Sequence, residues 1–100
     1  MPNLPDTLER QRQLLVVLEP LRQALGSIPG CVSNGIGLTR AAFERLRAVG
    51  GGPESVGAND ITITVGFESA AALEAGVRRV DALLGETPHE AVVSGRIVAL

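Results

Sequence analysis

Residues Ile61-Thr62-Ile63-Thr64-Val65-Gly66-Phe67 alternate strictly between large apolar and small side chains. Successive side chains of an extended chain point to opposite faces, so Ile61, Ile63, Val65 and Phe67 share one face and Thr62, Thr64 and Gly66 the other. The pattern predicts a strand with one buried face and one small, polar face. A parallel sheet covered on both sides would carry strands apolar throughout. The alternation therefore favours a two-layer α+β sandwich, with helices over the isoleucine face.

The neighbouring segments fit this frame. Ser69 offers an N-cap for a helix with Leu73, Val77, Val80 and Leu84 on one stripe, and Glu74 sits four residues before Arg78 on its wet face. Gly85 and Pro88 close that helix. Val92, Val93, Ile97 and Val98 are β-branched, so the stretch from Glu90 is expected to run as a strand to Leu100.

Upstream, Pro29-Gly30-Cys31-Val32-Ser33-Asn34-Gly35-Ile36-Gly37-Leu38-Thr39 looks like a loop because of its glycines, yet it also alternates. Val32, Ile36 and Leu38 fall on one side, with Cys31, Ser33, Gly35, Gly37 and Thr39 on the other, which predicts a strand. Thr39 then caps a helix with Ala42, Phe43, Leu46 and Val49 on one face, ended by Gly50-Gly51-Gly52-Pro53. Residues 50–60 are expected to form a flexible connection.

At the start of the chain, residues 1–5 read as a short lead and Asp6 with Glu9 as a capping-box-like helix start. Leu14, Leu18, Leu21, Leu25 and Ile28 recur at helical spacing, and Pro20 is expected to kink or break the helix. The stripe suits packing against a sheet, with a helix–helix seam between two chains as the other reading. Leu15, Val16 and Val17 widen the apolar surface, as in a helix buried on more than one side.

The expected order is α-β-α-β-α-β in one domain spanning 1–100, with about three strands, helices on one face and a ferredoxin-like character. Phe43 and Phe67, the only aromatic residues, are assigned to the core.

Composition narrows the chemistry. The chain has 100 residues, a net charge of −2 and nine basic residues, all arginine. The absence of lysine, tyrosine and tryptophan removes Schiff-base chemistry, a phosphate-loop lysine and a tyrosine acid. The charge offers no field for nucleic acid or an acidic membrane, and no aromatic residue is left over to stack bases on the sheet. The longest apolar run, Leu14 to Leu18, is far short of the roughly 20 residues that span a bilayer, and a secretory leader is lacking, so a cytoplasmic location is expected. One cysteine and one histidine supply neither a disulfide nor a structural metal site, and no cofactor is implied.

Gly30, Gly35 and Gly37 imitate a phosphate loop, but Ile36-Gly37 stands where lysine and a hydroxyl residue are needed, and Arg40 stands where a dinucleotide fingerprint needs its third glycine. A physically sensible remainder is an anion or small-molecule site made of Gly35, Gly37, Thr39, Arg40 and the helix's first-turn amides, with Thr62 and Thr64 beside it. The plainer reading of those residues is a capped helix with a surface arginine. Cys31 and His89 form a nucleophile–base pair only if the fold brings them together. Otherwise Cys31 is an inert buried thiol and His89 an exposed turn residue.

The leading functional expectation is a small non-enzymatic module that self-associates and partners a larger protein. Its dimer contact is expected at the Ser/Thr/Gly sheet face or the C-terminal edge strand. The alternatives are a sensor built on the Gly37–Arg40 turn and the Thr62/Thr64 face, and an enzyme using Cys31 and His89.

Overall fold

A computed structural model describes residues 4–50 and 56–93. Helix α1 (Leu4–Leu18) passes through a 3-10 turn at Glu19–Leu21 into α2 (Arg22–Gly26). Pro20 sits at the start of that turn, where its missing N–H costs least. The helix begins at Leu4 rather than Asp6, so the expected lead is shorter; Asp6 lies in the first turn, where a carboxylate suits the helix dipole.

Strand β1 (Cys31–Leu38), helix α3 (Arg40–Val49), a 3-10 turn at Ala58–Asp60, strand β2 (Ile61–Phe67), helix α4 (Ala70–Leu84) and strand β3 (His89–Val93) complete the expected α-β-α-β-α-β order. Of the three inferred caps, those of Thr39 and Ser69 are formed: Ala42 N–H donates to Thr39 Oγ1 and Ala72 N–H to Ser69 Oγ, each at 3.1 Å, whereas Asp6 lies inside the first turn of α1 instead of capping it. Residues 51–55 of the 50–60 connection, and 94–100 of the strand expected to reach Leu100, lie outside the described residues.

The mixed sheet has the order β1-β2-β3, with β1 antiparallel and β3 parallel to the central β2. Together with the covering helices it makes a two-layer α+β sandwich. Phe67, Ile63, Val65 and Ile61 of β2 form the core with Leu14 and Leu18 of α1, Leu25 of α2, Ile28, and Val80 and Leu84 of α4. Each such side chain contributes roughly 1.5–3 kcal/mol on burial.

Three expectations about faces are corrected. First, the pairing Cys31↔Phe67 is followed by Ser33↔Gly66, so Val32 is an extra residue in a β-bulge. The bulge reverses the alternation: Cys31 packs against the same core as Ile36, while Val32 is 52% exposed. Cys31 therefore does not share a side with Gly35 and Gly37. Second, α3 contributes nothing to the core cluster, and Phe43 is 55% exposed while only Ala42 of that helix is fully buried. A helix stripe specifies that one side is covered, and here the small Ala42 is what the short α3 brings in. Third, the small face of β2 is not open along its length: Thr62 is 2% exposed and Gly66 is buried.

Two glycines are required by close approach. A Cβ on Gly76 of α4 would lie 2.7 Å from Phe67 Cε1 and 2.8 Å from Ile28 Cγ2, so α4 sits on the sheet through its missing side chain. Gly30 has φ +84° and a Cβ there would meet Ala72 Cβ. Its carbonyl accepts from Glu68 N–H at 2.8 Å, tying the entry of β1 to the start of α4.

Candidate functional site

The small sheet face, the start of α3 and the edge of β3 away from β2 meet at one place. In the register of the sheet, Gly35↔Thr64 and Thr64↔Glu90 put those three residues on the face opposite the core, with Gly37↔Thr62 beside them. Gly37 leads directly through Leu38 into Thr39 and the first turn of α3. All six expected ligand residues, Gly35, Gly37, Thr39, Arg40, Thr62 and Thr64, are thus near one another in the fold, with Thr39 as the helix cap.

The positive end of α3 is already occupied from within the chain. Arg40 N–H donates to Glu90 Oε1 at 2.9 Å and Ala42 N–H to the Thr39 hydroxyl, while the Arg40 guanidinium turns back to Glu44 at 3.3 Å. A helix N-terminus attracts an anion because its first amides lack intrahelical partners. Glu90 is that anion, and its placement locks β3 to α3. Sequence reading missed Glu90 because it lies 50 residues from Arg40 and carries no local signal.

Beside this contact runs an open groove of about 930 Å³. It is lined by Gly37 and Leu38 of β1, Arg40 and Phe43 of α3, Thr64 of β2, Leu73 of α4 and Glu90 to Val93 of β3. Above Gly35 the face is open, since a Cβ there would touch nothing within 4 Å; at Gly37 it would only reach Thr64 Oγ1 at 3.5 Å. The smallness of these two glycines is not demanded by the described chain itself.

Cys31 and His89 are not brought together. Cys31 pairs with Phe67 and His89 with Ile63, so they stand about 13 Å apart along β2 and on opposite sides of that strand. His89 is the first residue of β3, its side chain only 14% exposed, rather than an exposed turn residue. Its Nδ1 lies 2.6 Å from the Thr87 carbonyl and its Nε2 2.7 Å from Asp81 Oδ1, which leaves neither nitrogen to serve as a base. The Cys31 thiol, half-buried against the core, donates to the Ser33 carbonyl across the bulge at 3.5 Å.

Other polar contacts hold elements in place. Arg22 Nη1 donates to the backbone and side-chain oxygens of Asn34, satisfying the one polar side chain that β1 turns toward the helices. Arg45 Nη2 donates to Asp60 Oδ2 at 2.9 Å, and Gly57 N–H donates to the same oxygen. The Arg45 hydrogen bond, then the Gly57 amide, hold the Asp60 carboxyl below its usual range, and Asp60 raises Arg45 in return. This pair pins α3 to the turn that starts β2.

Among the described residues no group of three or more His, Cys, Asp and Glu side chains could hold a metal ion, and no helix is long and apolar enough to cross a membrane. Comparison with known proteins finds no matching family model, no matching curated protein and no matching solved structure.

Proposed function

We propose that this chain is a small, non-enzymatic assembly module that self-associates and serves as a partner of a larger protein. The observation that carries this reading is the outer side of α1. Leu14 and Leu18 are buried against the sheet, while Leu8, Leu15 and Val16 are 52%, 37% and 70% exposed. Leu8 and Leu15 are two turns apart and lie on one stripe, with Val16 beside it. A 100-residue chain buries a limited share of its apolar surface alone, and a second copy laid across α1 would cover this stripe in a two-fold, self-matching contact.

This shifts the expected dimer contact away from the Ser/Thr/Gly face, where Thr62 is already covered. The occupied N-terminus of α3 argues against the sensor reading, and the separation of Cys31 from His89 argues against the enzyme reading. The parallel β2-α4-β3 unit supports the ferredoxin-like character, and a lone free thiol suits the reducing cytoplasm. Sedimentation equilibrium tests the proposal: a dimer is expected at tens of micromolar, reduced to a monomer by Leu8→Glu with Val16→Glu at unchanged far-UV dichroism. A wild-type monomer at that concentration would remove it.

A further inference from the structure

His89 and Glu90, consecutive at the start of β3, point to opposite faces of the sheet, and each is held there by a different helix. His89 pairs with the core residue Ile63, and Glu90 with Thr64 on the outer face. On the core side Asp81 Oδ1 of α4 lies 2.7 Å from His89 Nε2, with the Thr87 carbonyl 2.6 Å from Nδ1. On the outer side Glu90 Oε1 accepts from the Arg40 N–H of α3 at 2.9 Å. The two side chains share one peptide unit, so a backbone shift that displaces one displaces the other.

The two helices joined in this way are not equally well seated. Helix α4 puts Val80 and Leu84 into the core and rests on Phe67 through Gly76. Helix α3 adds no residue to that cluster, and its one fully buried residue is Ala42. Polar contacts hold it: Thr39 N–H to the Asp60 carbonyl at 2.8 Å, Arg45 to the Asp60 carboxylate at 2.9 Å, and Arg40 N–H to Glu90. An element with few buried apolar contacts opens locally well below the cost of global unfolding. The hold of Glu90 on the first turn of α3 therefore matters to that helix more than the same contact would to α4.

We propose that His89-Glu90 is a two-sided clasp, a conformational device through which the end of α4 sets how tightly the first turn of α3 is held. With the His89–Asp81 contact made, the start of β3 is fixed and the Glu90 carboxylate meets Arg40 N–H. With it broken, residues 87–90 gain freedom and the carboxylate is drawn off α3. The backbone does less of this positioning than the side chains: Ile63 N–H donates to the Pro88 carbonyl at 3.3 Å, longer than the usual 2.9–3.0 Å of an N–H to oxygen bond. Coupling of this kind is reciprocal, so loss of Glu90 from α3 loosens the His89 side by the same factor.

Amide hydrogen exchange of the full chain tests the clasp. The variant is Asp81→Ala, because the Asp81 side chain is 62% exposed while that of His89 is only 14% exposed and its removal would disturb packing as well. Asp81→Ala is expected to speed exchange at Arg40 N–H, on the far face of the sheet, about fivefold. In the reverse direction Glu90→Ala is expected to speed exchange by the same factor at Thr87 N–H, which donates to the Leu84 carbonyl at 3.0 Å. Glu74→Ala, which removes another exposed carboxylate of α4, should move neither amide. Cys31 N–H, which donates to the Ile28 carbonyl before β1, is the reference and should stay unchanged. Faster exchange confined to residues 85–90 with Arg40 unchanged would overturn the clasp, as would an equal rise at Arg40 and Cys31 or no rise at either. None of these variants alters α1, so the outcome is independent of the self-association that Leu8→Glu with Val16→Glu reports.

Discussion

Replacing Gly76 by alanine should destabilise the protein, against the usual trend for a glycine inside a helix. Alanine is favoured over glycine in a helix interior by about 1 kcal/mol, so an unobstructed site would gain that amount. At Gly76 the new methyl would stand 2.7 Å from Cε1 and 3.0 Å from Cζ of Phe67 and 2.8 Å from Ile28 Cγ2. Carbon atoms prefer roughly 3.5–4.0 Å, so the overlap approaches 1 Å on two sides. Phe67 is fully buried and Ile28 is 4% exposed, which leaves neither side chain an open direction in which to move. Overpacking of this kind costs about 1–3 kcal/mol. Set against the helix gain, the net loss is between about zero and 2 kcal/mol. Gly26 supplies the control, because a Cβ there meets nothing within 4 Å and its φ is not positive. Gly26→Ala should therefore be neutral or stabilise by up to about 1 kcal/mol. Urea midpoints and melting temperatures read the difference, each kcal/mol moving the melt of a domain this size by about 4–8 °C. Phe67→Leu placed on Gly76→Ala should cost less than the sum of the single changes, since it withdraws the ring atoms in contact. A Gly76→Ala variant as stable as Gly26→Ala, or strict additivity with Phe67→Leu, would refute the close seating of α4 on β2.

Two further outcomes follow from caps and charges. Ser69→Ala and Thr39→Ala each remove a hydroxyl that accepts from a first-turn amide, and each should cost about 1 kcal/mol by chemical denaturation, with glycine replacements costing less. Because the folded state lowers the Asp60 carboxyl, its contribution is fully present above the ordinary carboxylate range near pH 4 and is lost as pH falls through the lower folded value. Wild type should accordingly exceed Asp60→Asn in melting temperature at neutral pH and converge on it in strong acid; a gap independent of pH would contradict the Arg45–Asp60–Gly57 arrangement.

The groove and the α1 stripe show how differently two surfaces were legible. Leu15, Val16 and Val17 show a wide apolar surface on α1 in the sequence, which suggests burial on more than one side; in the structure Val17 packs against the core, whereas Leu15 and Val16 are 37% and 70% exposed. Phe43 gave no such signal. Its spacing with Ala42 and Leu46 predicts one covered stripe, and nothing local says that Ala42 alone would be fully buried.

The sequence by itself determined the order of elements, the N-caps Thr39 and Ser69, the interruption at Pro20 and the face of β2 that forms the core. These depend on contacts within a few residues or on the strict period of a strand, which a one-dimensional pattern records. Only the tertiary structure decided that Val32 bulges out of β1 and reverses the side on which Cys31 lies, that Gly76 is the seat of α4, and that the Glu90 carboxylate occupies the start of α3. Each of these joins residues far apart in the chain, and their pairing is set by how strands register and helices dock rather than by any property of the local sequence.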